Sequence, residues 1–245
     1  MAQELKNITT IFIKKEKVAH ETYSFYFKKP ARFSYVAGQC MKITLQDVRG
    51  DNRGPRRFFT ISSSPLDEEL MITTKIIKKP SMFKQRLFSL EQGNEVTIFG
   101  PMGTFFLPDE SNHPLIFLAG GIGVTPFHSM ITYATSINYP TQIYLFASFS
   151  SVEEAVFYKD FVRLSKENLF VKIIYTITHP GKSREKWQGE VGRISPGMIK
   201  KYIPEFKNYH LYICGPEKMV DEMFEMMKSV EITQGKIRKE QFSGY

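Results

Sequence analysis

At 245 residues the chain can build one large domain or two medium ones, each with a proper core. It is 42% hydrophobic and 24% charged, and no stretch approaches the about 20 apolar residues of a membrane span. The net charge is +8, carried by scattered basic residues, and two cysteines, Cys40 and Cys214, are too few for a metal cluster or a disulfide framework.

The first ten residues, MAQELKNITT, lack the apolar core of a secretory signal, so the expected compartment is the cytoplasm. The positive charge suits an acidic partner such as a small electron-carrier protein. No recognition motif for nucleic acid accompanies it. A monomer is expected.

The first half is read as short strands: Ile8 to Ala19, Glu21 to Lys28, Gln39 to Gln46, Arg57 to Ser63, Leu70 to Ile77 and Glu95 to Phe99. They are rich in β-branched and aromatic residues and separated by Gly, Pro, Asp and Asn, as in an antiparallel barrel or sandwich. Met82 to Glu91 interrupts them as a helix, with Phe83, Leu87 and Leu90 at helical spacing. Around Pro108 to Pro114 the rhythm changes to alternating strands and helices, which places a domain boundary near Asp109. Strands are expected at Leu115–Ala119, Gln142–Ser148, Leu169–Thr178, His210–Cys214 and Ile237–Phe242. Helices are expected from the turn after Ala119 to Thr135, over Val152–Glu167, and over Pro216–Val230. Such alternation gives a parallel sheet covered on both faces.

Three segments carry candidate chemistry. In RRFFTISSSP, residues 56–65, Arg57 can fork onto a phosphate, Phe59 shares its face, and Thr60 offers a hydroxyl. A plain strand with aromatic packing explains the same residues equally well. AGGIGVTP, residues 119–126, follows a buried strand and opens a helix. There Gly120, Gly121 and Gly123 leave room for a pyrophosphate beside free N–H groups, Thr125 can cap, and Pro126 suits the first turn. The alternative is a tight turn without a ligand. YICGPEKM, residues 212–219, repeats the arrangement at a second strand end, so two turns on one sheet edge can flank one dinucleotide. Cys214 has no evident base beside it and is expected to shape a pocket, not to attack.

Together these segments resemble the ferredoxin–NADP reductase superfamily nearly end to end. The flavin motif Arg-x-Tyr-Ser/Thr is similar to Arg57-Phe58-Phe59-Thr60, and the loop before the first helix is similar to Ser81-Met82-Phe83-Lys84. Gly100-Pro101-Met102-Gly103-Thr104-Phe105, Gly120 to Pro126, and Cys214-Gly215-Pro216 with Met219 follow in family order. Trp187 to Ile194 and the C-terminal Glu240-Gln241-Phe242-Ser243-Gly244-Tyr245 also resemble members. The resemblance implies an antiparallel six-stranded β-barrel holding FAD over residues 1–109, then an α/β Rossmann-like parallel-sheet domain for NAD(P)H over 110–245. It implies that Arg57 binds the FAD pyrophosphate, that Phe59, where the family has tyrosine, packs on the flavin, and that Thr60 faces flavin N5. Phe58 belongs to the same motif. The amides of Ser81, Met82, Phe83 and Lys84 would receive a phosphate. Gly120, Gly121, Gly123, Thr125 and Pro126 would hold NAD(P)H, with Cys214, Gly215, Pro216 and Met219 beside the nicotinamide.

By the same resemblance, Glu240 tunes the flavin or relays a proton, and Phe242 and Tyr245 approach the cofactor. Their plainer readings are a solvated carboxylate beside Lys239 and a frayed end. The implied activity is hydride transfer from nicotinamide to flavin N5, then electron delivery to a ferredoxin, flavodoxin, oxygenase component or small molecule. The alternative is a FAD- and nucleotide-binding electron-transfer or redox-sensing subunit that turns over only within a larger complex. For the nucleotide, Ala147-Ser148-Phe149-Ser150-Ser151 offers hydroxyls but neither a cation for a 2′-phosphate nor an acid for a ribose. Arg184 and Lys186 are candidate substitutes for the cation, and the balance favours NADH.

Overall fold

The computed structural model describes residues 6–109 and 113–242. The first half forms β1 (Lys6–Ala19), β2 (Thr22–Lys28), β3 (Cys40–Thr44), β4 (Arg56–Thr60), β5 (Glu69–Lys75) and β6 (Glu95–Met102), with helix α1 (Met82–Phe88) before β6. They make one antiparallel sheet in the order β4-β3-β6-β1-β2-β5. Period-two patterning turns Phe25 and Phe27 of β2, Met41 and Ile43 of β3, and Ile98 of β6 into a shared core. The sheet curls until its two edges meet just past β4, where the Ser62 amide donates to the Met71 carbonyl at 2.7 Å.

The second half contributes β7 (Leu115–Gly120), α2 (Thr125–Ser136), β8 (Ile143–Phe149), α3 (Tyr158–Glu167), β9 (Val171–Ile177), β10 (Glu190–Val191), α4 (Pro196–Tyr202), β11 (His210–Pro216), α5 (Glu217–Ser229) and β12 (Ile237–Phe242). All neighbouring pairs are parallel, in the order β10-β9-β8-β7-β11-β12. Strand β7 is buried along its whole length because both faces are covered. Leu115 and Phe117 join the core beneath α2 and α3, while Ile116 and Leu118 join that beneath α4 and α5. The chain winds outward from β7 and returns to lay β11 beside it. The order therefore reverses between β7 and β11, and that is where an open parallel sheet has its ligand crevice.

The fold corrects two details of the sequence reading. The helix expected from Val152 starts only at Tyr158, because Phe157 takes a left-handed φ of 60°. That conformation buries the Phe157 ring against His128, with centroids 3.9 Å apart. Short β10 and helix α4 went unread, although Ser195 caps α4 by accepting from the Met198 amide and Pro196 occupies its first turn. Among the described residues no helix is long and apolar enough to cross a membrane.

Candidate functional site

Strand β4 presents alternate residues to opposite sides. Arg56 and Phe58 project outward, Phe58 being 63% exposed, on the side opposite Arg57 and Phe59. Arg57 and Phe59 both lie on the ring of Phe83 in α1, the guanidinium 5.1 Å and the Phe59 ring 6.0 Å from its centroid. Thr60, the last residue of β4, is 6% exposed, and its hydroxyl is buried without a hydrogen-bond partner among the described residues.

Of the donors expected to receive a phosphate, Arg57 and the amides of Phe83 and Lys84 are engaged within the chain. Arg57 Nη1 donates to the carbonyls of Arg53, Gly54 and Arg56, and Nη2 donates to Asp51 Oδ1 at 2.5 Å. Asp51 Oδ2 accepts from the Phe83 amide at 3.0 Å, and the Ser81 hydroxyl accepts from the Lys84 amide at 3.3 Å. Met82 beside them is 42% exposed. The Lys84 side chain donates to the Lys75 carbonyl. Burial, with the neighbouring charges of Arg53, Arg57 and Lys75, pushes the Lys84 ammonium down to about 8. This corner therefore holds a concentration of positive charge.

On the second sheet, β7 ends at Gly120, a 3-10 turn covers Gly121–Val124, and α2 follows with Pro126 in its first turn. The glycines have different tasks. A Cβ on Gly120 would stand 1.9 Å from Met219 Sδ, and one on Gly123 would stand 2.3 Å from the Cys214 carbonyl oxygen. Those two let the β7 turn and the β11 turn interlock. Gly121, at φ 54°, has nothing within 4 Å of an added Cβ and lies on the open side. Thr125 does not cap α2; its hydroxyl donates back to the Ile122 carbonyl at 3.0 Å.

A groove of about 580 Å³ runs over the carboxyl ends of β7, β8, β9 and β11, lined by Gly121, Ser148, Ser150 and Thr178 together with Pro216 and Met219. Three charged residues that sequence reading did not place there complete it: Arg193, Lys218 and Glu222. Arg193 pairs with Glu222 at 3.1 Å, and Lys218 lies 3.9 Å from the same carboxylate. Arg184 and Lys186 line other cavities.

The two halves meet beside Thr60, and the charge of Glu240 on the second sheet acts on Cys40 of the first. Cys40 is the register partner of Thr60, and Glu240 of β12 is that of Cys214. Burial pushes the Cys40 thiol up to about 11, and the Glu240 charge adds to the rise. The same two causes lift the fully buried Cys214 well above its ordinary range, which disfavours the thiolate form of both. Burial raises Glu240 itself to about 7. Helix α2 ties the halves together. His128 Nδ1–H donates to the Ser62 carbonyl at 2.7 Å, and the Ser129 hydroxyl donates to the Ser63 carbonyl at 2.6 Å. The helix that begins at the Gly-rich turn thus holds the segment following Thr60.

An oxidoreductase FAD-binding domain model matches residues 9–107, and an oxidoreductase NAD-binding domain model matches residues 117–224. The chain belongs to the ferredoxin–NADP reductase superfamily. It is 24% identical over 242 residues to the glycine betaine monooxygenase reductase subunit of Chromohalobacter salexigens, covering 96% of this chain and 64% of that protein. It therefore spans somewhat less than two thirds of that relative's length. Among solved structures, the cytochrome P450 reductase GcoB of Amycolatopsis superposes with a TM-score of 0.84 at 18% identity, over 98% of this chain and 71% of the other. A ferredoxin NADP+ reductase from Neisseria gonorrhoeae superposes with a TM-score of 0.78 at 19% identity, over 97% and 99%. At these identities the structural likeness speaks to the fold.

The residues of this superfamily member fit a flavin dinucleotide. Arg57 Nε and Thr60 Oγ1, three residues apart on β4, are buried polar atoms lacking partners among the described residues, and each is a donor. Asp51 stands as an internal anion against Arg57 and the Phe83 amide, which shows that this corner accepts negative charge. Phe242 of β12 is the register partner of Pro216, beside the groove. Tyr245 lies outside the described residues. Asp51, His128, Ser129 and Glu222 escaped the sequence reading. The turn sequence Asp51-Asn52-Arg53-Gly54-Pro55 was the one available signal, and it reads first as loop chemistry.

Proposed function

We propose that the chain is an FAD-dependent NADH oxidoreductase, a monomeric cytoplasmic reductase unit that passes electrons to a separate acceptor. The observation that carries the reading is the docking of the second half beside Thr60, where His128 and Ser129 bond the Ser62 and Ser63 carbonyls and the Glu240 charge acts on both Cys40 and Cys214. The division between the FAD and nucleotide units is taken near Asp109. When bound, FAD supplies a ring that accepts a hydride and gives electrons onward.

The chain's own residues bind and orient. Arg57 and the Phe83 amide bind the pyrophosphate, Phe59 packs against the flavin, and Thr60 donates its hydroxyl to the ring. Gly121 lets the dinucleotide approach the β7 turn, while Cys214 closes the nicotinamide pocket as a neutral, buried thiol. Glu240 can hold a proton on its carboxyl near neutral pH. NADH is favoured because Glu222 brings to the groove the acid that a ribose diol accepts, and both nearby cations already lean on it.

The test is the visible spectrum of the purified protein, followed by anaerobic NADH addition. Bleaching of a flavin band and steady ferricyanide turnover are expected. A protein that stays colourless with added FAD, or a flavin that neither nucleotide bleaches, overturns the reading. A second reading has the chain active only inside a complex. It draws on the Chromohalobacter relative, which is named as a subunit and extends beyond the matched region. Stoichiometric bleaching with negligible turnover would select it. The acceptor we propose is a ferredoxin, flavodoxin, oxygenase component or small molecule, and the excess positive charge suits an acidic carrier.

A further inference from the structure

The corner that would hold the flavin pyrophosphate already contains a carboxylate. Asp51 has a side chain only 2% exposed and accepts three hydrogen bonds. Arg57 Nη2 and the Arg53 amide donate to Oδ1, and the Phe83 amide donates to Oδ2. An oxygen-bearing anion bound to Arg57 and Phe83 would need the same donors. Arg57 has little left to offer, since its Nη1 is spent on three backbone carbonyls and only Nε is unpartnered.

We propose that Asp51 is a built-in phosphate mimic that competes with the flavin pyrophosphate for Arg57 and the Phe83 amide, and so sets how tightly this reductase holds FAD. The inference rests on the reading of the site as an FAD site. Two features make Asp51 displaceable. It rides on the β3–β4 loop between Gly50 and Gly54, which take φ of 74° and 70° and would meet nothing within 4 Å if they carried a Cβ. Those residues give the loop room and backbone freedom to swing outward. The charge balance also favours exchange. Arg53, Arg57, Lys75 and Lys84 act on this corner, and Lys75 has its own partner in Glu154. A pyrophosphate brings more negative charge to them than one carboxylate does.

Competition predicts a selective effect. Riboflavin has the same ring but no phosphate, so it can dock without displacing Asp51. FAD must displace it. The experiment measures dissociation constants of the flavin-free full chain for FAD and for riboflavin by fluorescence quenching, in wild type, Asp51→Asn and Asp51→Ser. Asparagine keeps an oxygen for the Phe83 amide while removing the charge, and serine gives the same reading should Asp51→Asn fail to fold. FAD should tighten by at least about tenfold, the scale of one charge-assisted hydrogen bond, with riboflavin within about twofold of wild type.

Equal tightening of both flavins overturns the inference. Unchanged or weakened FAD binding also overturns it and assigns Asp51 to holding Arg57 in place. Wild type and variants that all fail to bind either flavin overturn the reading of the site itself.

Discussion

Cys214 and Glu240 are register partners on the parallel strands β11 and β12, and burial raises both, the thiol well above its ordinary range and the carboxyl to about 7. The pair stands at the edge of the sheet where the nucleotide groove meets the flavin side. A carboxyl there that titrates at about 7 can gain or release a proton under working conditions, which an ordinary surface glutamate cannot.

The raised value carries a stability signature with a definite sign. In the unfolded chain Glu240 ionises near 4.5, whereas in the fold it holds its proton to about 7. Between those limits the folded state binds more protons, so stability falls as pH rises, and the effect levels off above pH 7. Glu240→Gln removes the titration. The variant should match wild type near pH 4 and exceed it by something on the order of 2 kcal/mol at pH 8. Urea unfolding at both pH values checks this, and a constant difference between the proteins would refute it.

The two turns at the sheet edge make a contrast between neighbouring glycines. Gly123→Ala drives a methyl group into the Cys214 carbonyl and the Gly215 Cα, at 2.3 and 2.5 Å, and both are backbone atoms that cannot step aside cheaply. A loss of about 2–3 kcal/mol is expected, as for overpacking elsewhere. Gly121→Ala meets no atom and bears only the left-handed backbone, at about 1 kcal/mol. Thermal melts rank the two, and equal melting temperatures would show that the turns do not interlock.

Much of this arrangement was legible in the chain. The six strands of the first half and the alternation of the second follow from period-two patterning and from the Gly and Pro between segments, because local chemistry dictates both. Gly120 to Pro126 announced a strand-to-helix turn for the same reason. The sequence could not show that Gly120 and Gly123 face Met219 and Cys214, nearly a hundred residues away, because that depends on β11 returning beside β7. Asp51 was invisible for a related reason: its partner Phe83 is brought to it by the curl of the sheet. His128 on a buried helix face could be read only as core. Its bond to the Ser62 carbonyl exists because the two halves dock.

Thr60 offers a test in which stability and binding move in opposite directions. Its hydroxyl is buried without a partner, a cost the fold carries for no internal gain. Thr60→Val keeps the shape and deletes the hydroxyl. The flavin-free protein should become about 1 kcal/mol more stable, while FAD binds about tenfold more weakly through loss of one hydrogen bond in a buried site. Chemical denaturation and fluorescence quenching read the two effects. A variant that loses stability and binding together would mark Thr60 as a packing residue.

The proposed preference for NADH rests on Glu222, which lines the groove. Its carboxylate is shared by Arg193 at 3.1 Å and Lys218 at 3.9 Å, and all three side chains are largely solvated, so each contact is weak. While ionised, Glu222 repels a 2′-phosphate and draws away the two cations that could receive one. It also accepts from a ribose diol, which NADH has and NADPH lacks at that position. Glu222→Gln should therefore raise kcat/KM for NADPH by about fivefold and lower that for NADH slightly, in line with exposed charge pairs worth about 1 kcal/mol. Because surface ion pairs are screened, the gain should shrink as salt is added. Loss of activity with both nucleotides would place Glu222 outside the selection of the 2′ group. An unaltered ratio would have the same meaning.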